Sequence, residues 1–242
     1  MNIKAMKAVG RAGAGLALAG LLAFAGPAAA EDGPHDPYEG FNRAMFAVNE
    51  GVDTVFAKPV AKAYDWVLPL PAKASVGNFF GNVGDVRNVL NNALQGKLAD
   101  AGNDLGRLLI NSTIGIFGLF DVASEIGLER HEEDFGQTLA VWGVDDGGFL
   151  YWPFLGPRTV RDTAGAVVDI YTDPTWGTIF KSAAARNTLV GLRFVDVRAS
   201  LLPTDKVVEE AALDKYAYIR DSYLQRRTNL IYDGRPPRRD EE

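Results

Sequence analysis

The stretch Val76-Gly77-Asn78-Phe79-Phe80-Gly81-Asn82-Val83-Gly84-Asp85-Val86-Arg87-Asn88-Val89-Leu90-Asn91-Asn92-Ala93-Leu94 decides the fold class. Val76, Phe79, Phe80, Val83, Val86, Leu90 and Leu94 recur at three- and four-residue spacings, the period of one helix face and not the two-residue alternation of a strand. Gly96 then stands where a helix C-terminus needs a left-handed residue. Leu98, Ala101, Leu105, Leu108 and Leu109 carry the same period into a following helix. Upstream, Asp36-Pro37-Tyr38-Glu39 offers a capping carboxylate, a proline at the first helical position and a glutamate three residues after the cap, which predicts a helix start. Tyr38, Phe41, Met45, Val48, Val52 and Val55 form its apolar stripe. Lys58-Pro59 stops or kinks that helix, because proline lacks the N–H and disfavours helix in the residue before it. A short helical stretch over 60–67 and an extended break at Pro69-Leu70-Pro71 complete the first half. The chain is read as all-α.

Residues 108–120 form the most apolar segment outside the N-terminus, interrupted by Asn111-Ser112-Thr113 and two glycines. They are too short and broken to cross a bilayer as one helix. Two readings stay open: a core turn between helices, or an apolar element facing lipid. Residues 131–162 are dense in glycine, proline and aromatic side chains, which predicts a long loop serving function or interaction. Trp142, Tyr151 and Trp152 join an apolar ring to a polar handle, which suits a membrane interface, a partner surface or a core. A last helix is expected over about 205–231, with Ala212, Tyr216, Ile219, Tyr223 and Leu230 on one face. Arg220, Arg226 and Arg227 lie outside that stripe and read as a solvated face or a basic patch toward anionic headgroups. From Asp233 onward the charged tail is expected to be disordered.

The N-terminus carries Lys4, Lys7 and Arg11 without an acid, then an apolar run over 12–26 and Pro27-Ala28-Ala29-Ala30. That order is a secretory signal peptide, with cleavage expected after Ala30 and a flexible leader at 31–35. Its loss takes the net charge from −6 to −9. So acidic a chain has no general attraction for nucleic acid, which needs clustered Lys and Arg. About 200 residues predict one domain, here 36–232.

The 242 residues include no cysteine, which excludes disulfides, thiol nucleophiles, Cys-ligated metals and lipidation at an N-terminal cysteine. Of two histidines, His35 falls in the leader, and His131 lies in Arg130-His131-Glu132-Glu133-Asp134, which reads as a solvated charge run. No nucleophile elbow, zinc-protease helix, phosphate loop or dinucleotide fingerprint occurs. Asp145-Asp146 and Glu132 to Asp134 contain acids that a glycoside hydrolase would need, but adjacent acids among glycines are turn formers first. A non-enzyme without cofactor or metal is expected.

An ordered series of short motifs carries a resemblance. Asp-Pro-Tyr-Glu-Gly-Phe-Asn-Arg at 36–43 leads to Lys58-Pro59-Val60-Ala61 with Tyr64, then to Asn78-Phe79-Phe80-Gly81-Asn82 and Asn92-Ala93-Leu94-Gln95-Gly96. Arg107 to Gly115, Gly118 to Ala123 and Glu133 to Leu139 follow, and Leu155-Gly156-Pro157, Arg161-Asp162, Gly165, Tyr218-Ile219-Arg220, Tyr223 and Arg226-Arg227 close it. Over about 36–234 this resembles the VacJ/MlaA family of phospholipid-transport proteins. The resemblance implies a ring of amphipathic helices lying in the inner leaflet of an outer membrane, around an amphipathic channel for phospholipid. It also implies partnership with a trimeric porin and a soluble periplasmic lipid carrier, in maintaining outer-membrane lipid asymmetry. Many relatives carry a lipobox cysteine; here the signal ends in alanines, so a non-lipidated protein is expected. A lipid path must offer polar and apolar groups together, which makes Phe79, Phe80, Leu109, Asn111, Ser112, Thr113, Ile114, Ile116 and Phe117 the channel candidates. Trp142, Tyr151, Trp152 and Phe154 are the interface candidates. The alternative is a structural adaptor that binds porin and carrier without passing lipid.

Overall fold

The computed structural model describes residues 36–177 and 182–237. The expected signal, leader and last tail residues, 238–242, lie outside the described residues. Helices dominate: α1 (Glu39–Val52), α2 (Lys58–Val67), α3 (Leu70–Leu94), α4 (Leu98–Thr113), α5 (Val122–Glu125), α6 (Phe135–Val141), α7 (Val160–Thr172), α8 (Pro174–Gly177), α9 (Ala183–Ser200), α10 (Leu202–Ala211) and α11 (Lys215–Ile231). α3 packs mainly against α4, and α9 lies against both α2 and α3. Among the described residues no helix is long and apolar enough to cross a membrane.

The helical expectation holds for the first half, with its boundaries adjusted. Asp36 does not cap α1, whose boundary residue is Tyr38; its carboxylate instead accepts from Asn42 Nδ2 at 2.7 Å and from the Tyr216 hydroxyl. Lys58-Pro59 does not stop the chain. A π-helical turn over Asp53–Ala57 widens the helix just before the proline, with the Lys58 N–H reaching back to the Asp53 carbonyl, and α2 continues from it. Gly96 is left-handed at φ 79°, as the helix stop requires.

Three expectations change. The 131–162 loop holds helix α6 and an antiparallel hairpin, β1 (Phe149–Trp152) with β2 (Gly156–Thr159), in which Phe149 faces Thr159 and Trp152 faces Gly156. The fold is therefore mostly helical but not all-α. Four-residue strands, one of them uniformly aromatic and aliphatic, carry no alternation to read. The helix expected over 205–231 is two, because Asp214 caps a fresh helix by accepting from the Ala217 N–H at 3.2 Å. α7 begins at Val160, inside the stretch expected to be loop. Beyond α11, Asp233 Oδ1 accepts from Lys97 Nζ at 2.6 Å.

The apolar core is small. Phe149, Tyr151 and Tyr216 are buried together, with Met45, Phe46, Ile219, Tyr223 and Leu224 packed around them. Elsewhere, polar and charged side chains outnumber apolar ones among the buried.

Candidate functional site

α3 and α4 meet through polar atoms. Asp85, Asn88, Asn92, Asp104, Arg107 and Asn111 are all buried between them. Asn92 Nδ2 donates to Asp104 Oδ2 at 2.9 Å, Asn88 Nδ2 to Asp85 Oδ1 at 3.2 Å, and Arg130 Nε to Asp85 Oδ1 at 2.9 Å. Burial raises the Asp85 carboxyl above its ordinary range, against the pull of Arg130 and Arg107. The run at 130–134 is thus only in part a solvated charge run: Glu132 is exposed, but His131 Nδ1 lies 3.3 Å from Asp104 and Glu133 is buried.

Five leucines of the same helices point outward. Leu90, Leu94, Leu98, Leu105 and Leu109 are all exposed. The C-terminal end of the α3 stripe and much of the α4 stripe therefore mark a face turned away from the protein, whereas Phe80, Val83 and Ala101 of the same stripes are buried. Of the channel candidates on α3, Phe80 is buried and Phe79 stacks edge-on against it at 5.3 Å.

The chain between α4 and α5 concentrates this inversion. Ile116 and Phe117 are left-handed, at φ 52° and 57°, before Gly118 at φ 87°. The Phe117 N–H reaches the Ser112 carbonyl at 3.1 Å, Gly118 the Asn111 carbonyl at 2.7 Å, and Phe120 the Gly115 carbonyl at 2.9 Å. A Cβ on Gly115 would stand 2.2 Å from the Phe120 oxygen, and one on Gly118 would stand 2.5 Å from Asn82 Cβ, so the turn closes only on these glycines. Asn111 does not face outward. Its Nδ2 donates to Asp121 Oδ1 at 2.9 Å and its Oδ1 accepts from the Ala123 N–H at 2.9 Å. Ser112 receives Asn82 Nδ2 at 3.0 Å, and Thr113 returns its hydroxyl to the Leu109 carbonyl. Asp121 also receives Arg107 NH2 at 3.0 Å. Partial burial raises its carboxyl, but Ser124, Asn111 and Arg107 outweigh it and hold it below the ordinary range. On this polar clamp, Ile114 (68% exposed) and Phe117 (75%) project with Ile116 and Phe120. The core-turn reading of 108–120 fails, because its large apolar side chains are outside.

The hairpin is held by asparagines. Asn42, fully buried, donates to the Phe149 carbonyl at 3.0 Å and accepts from the Tyr151 N–H at 2.8 Å, so one amide plays the part of a neighbouring strand. Asn49 does the same for the Trp152 carbonyl and the Phe154 N–H, each at 2.9 Å. Of the interface candidates, Tyr151 belongs to the buried aromatic cluster, and Trp152 is half-buried with Nε1 donating to Thr163. Phe154 is exposed at the tip, left-handed at φ 63°, and Trp142 is exposed with Nε1 donating to the Leu94 carbonyl.

Sequence reasoning missed one node. Arg227 is 7% exposed and donates through both terminal nitrogens to Asp134, at 2.6 and 2.7 Å, and to Asp162 Oδ1 at 2.7 Å. Arg220 is buried as well, at 3.4 Å from Asp36. Neither is a solvated arginine; of the three, only Arg226 is. Burial raises Asp134 and Asp162, but Arg227 outweighs it and both stay below the ordinary carboxylate range. Gly136 and Gly165 let α6 and α7 touch backbone to backbone beneath this node, a Cβ on Gly165 standing 2.4 Å from the Gly136 nitrogen.

Two clefts flank α6. One, of about 300 Å³, is walled by Leu90, Ala93, Leu94, Phe135 and Val168, with Asp169 at its edge. Burial pushes that carboxyl up to about 6, against Arg87 and the Phe135 N–H. The other, of about 260 Å³, lies between the hairpin and α11 and is polar. Among the described residues no group of three or more His, Asp or Glu stands where a metal ion could be held.

The sequence model of the family described as "MlaA lipoprotein" matches residues 34–230. The chain belongs to the MlaA family. Proteins named "Intermembrane phospholipid transport system lipoprotein MlaA" from Shigella flexneri and Escherichia coli are each 34% identical to it, over 84% of this chain and 81% of theirs. That of Haemophilus influenzae is 30% identical over 83% and 81%. A solved structure described as "Structural basis for maintenance of bacterial outer membrane lipid asymmetry" aligns with a TM-score of 0.70 at 31% identity, covering 81% of this chain and 98% of that one. The motifs of this MlaA chain converge in three dimensions: 36–43 on the hairpin clamp, 107–121 on the turn, and 133–139, 161–165 and 227 on the buried arginine node.

Proposed function

We propose that this MlaA-family chain carries phospholipid between the outer membrane and a soluble periplasmic carrier, without catalysing a reaction on it, and so maintains outer-membrane lipid asymmetry. One observation carries the reading: the apolar turn at 114–120 is exposed and clamped from behind by Asn82, Asn111, Arg107 and Asp121. An apolar surface on a polar interior suits a protein whose solvent is acyl chain on one side. The helices would lie in the plane of the inner leaflet as a ring beside a trimeric porin. Export would follow cleavage of the segment over 1–30, and with no cysteine in the sequence the exposed apolar side chains would hold the protein in place. The experiment is phospholipid analysis of the purified mature chain. Lipid that co-purifies with the wild type and is lost in Ile114→Asp and Phe117→Asp, both at solvent-facing positions, supports the conduit; lipid retained in both variants overturns it.

Exposed Trp142 and Phe154 favour a second reading, the adaptor. It requires Phe154→Ser to abolish porin capture while lipid transfer to the carrier proceeds unchanged.

A further inference from the structure

The polar cleft between the hairpin and α11 is lined by four arginines and three acids. Its acids are already engaged: Asp134 with Arg227, Glu133 with Lys97 at 2.9 Å, and Glu132 with Arg226 at 3.3 Å. Two of its arginines are not. Arg87, on α3, gives Nε to the Glu133 carbonyl at 3.0 Å and forms no ion pair among the described residues, with Asp169 and Asp134 acting on it only from beyond ion-pair distance. Arg158, on β2, forms no ion pair among the described residues, and its Nε is shielded from solvent with no hydrogen-bond partner. The Nε of Arg227, on the same cleft, is likewise buried and unpartnered. A shielded guanidinium N–H without an acceptor costs the fold free energy, so its retention fits a ligand that supplies one.

We propose that this cleft is an anion site for a phosphate group, held by Arg87 and Arg158. Guanidinium forks match phosphate oxygens in pairs, and the tetrahedrally arranged oxygens of a phosphate group let each of two forks from different elements take its own acceptors. At about 260 Å³ the cleft admits a headgroup and is too small for a two-tailed lipid. Resting on the lipid reading above, the phosphate is that of a phospholipid head, with Leu230 and Pro157 giving an apolar side to the same cleft.

The test titrates dihexanoylphosphatidylglycerol, and separately inorganic phosphate, into the purified mature chain in a non-ionic detergent, followed by calorimetry. The lipid head is expected to bind, and Arg158→Gln and Arg87→Gln each to weaken it by about tenfold or more, the loss of a charge-assisted hydrogen bond. Arg158→Lys, which keeps the charge and loses the fork, should fall between Arg158→Gln and wild type. Arg226→Gln, at an exposed pair, should change affinity by less than about twofold. Because Arg158 supports no ion pair, its variants retain the fold, which far-ultraviolet circular dichroism checks. Inorganic phosphate bound as tightly as the lipid head overturns the headgroup assignment, and no binding of either probe, or binding unaffected by Arg158→Gln, overturns the site. Lipid that still co-purifies with Arg158→Gln while headgroup affinity falls separates the two readings: the conduit then stands on its acyl-facing turn.

Discussion

Arg227 and Asp169 show how single side chains set the conditions under which this protein is stable. Arg227 answers two carboxylates from a buried position, so Arg227→Gln leaves Asp134 without an ion pair and Asp162 with Arg161 alone, at 3.3 Å. Removing one partner of a buried pair costs about 3–5 kcal/mol, and denaturant unfolding in detergent should show a loss of that order. Asp169 acts in the opposite sense. Its folded pKa of about 6 lies above the ordinary aspartate value, so the folded state binds its proton more tightly. That contribution is complete below about pH 4 and is lost as pH rises through about 6. Asp169→Asn should therefore be more stable than wild type at pH 7, with the difference vanishing by about pH 4; a difference that does not change with pH would contradict the assignment. Neither residue was legible in the sequence. Arg227 sits in an Arg-Arg pair off the apolar stripe, and such a pattern is most often solvent-facing; its burial depends on Gly136 and Gly165 bringing α6 and α7 together from thirty residues apart.

At the scale of the element, the turn over 114–120 sets sequence preference against tertiary need. A β-branched residue and an aromatic one in consecutive left-handed positions are costly, about 1–2 kcal/mol each. The clamp from Asn82, Asn111 and Asp121 holds them there. Phe117→Gly and Phe117→Ala both remove the exposed ring, yet only glycine accepts φ 57° freely. Glycine should be the more stable of the two by about 1 kcal/mol in thermal unfolding, and both should lose co-purified lipid. The sequence exposed this element well enough: its apolar run, its glycines and Asn111-Ser112-Thr113 were all visible. Which way it faced was not, because periodicity reports that a face is apolar and says nothing about whether protein or lipid covers it. The same limit applies to Leu90, Leu94 and Leu109. The hairpin was illegible for a different reason, since its partner is made of Asn42 and Asn49, two side-chain amides more than a hundred residues away.

For the whole molecule, helix content, the stop at Gly96 and the extended Pro69 followed from local rules, although Leu70 and Pro71, expected in the same break, open α3; the inverted distribution of polar and apolar groups appears only when the helices are assembled. Family membership, carried by ordered motifs, was legible because those motifs are the contact points of the three nodes: hairpin clamp, turn and buried arginine.

The polar seam between α3 and α4 leaves a thermal signature. Unfolding this protein uncovers amides, carboxylates and guanidiniums in larger proportion than an ordinary globular domain does, while its outer hydrocarbon is already uncovered. Newly wetted polar surface lowers the heat capacity and newly wetted apolar surface raises it. Scanning calorimetry should thus give a heat-capacity increment below the usual ~12–15 cal/mol/K per residue. The resulting stability curve is shallow, so the margin against unfolding changes less with temperature than in a domain that hides its hydrocarbon.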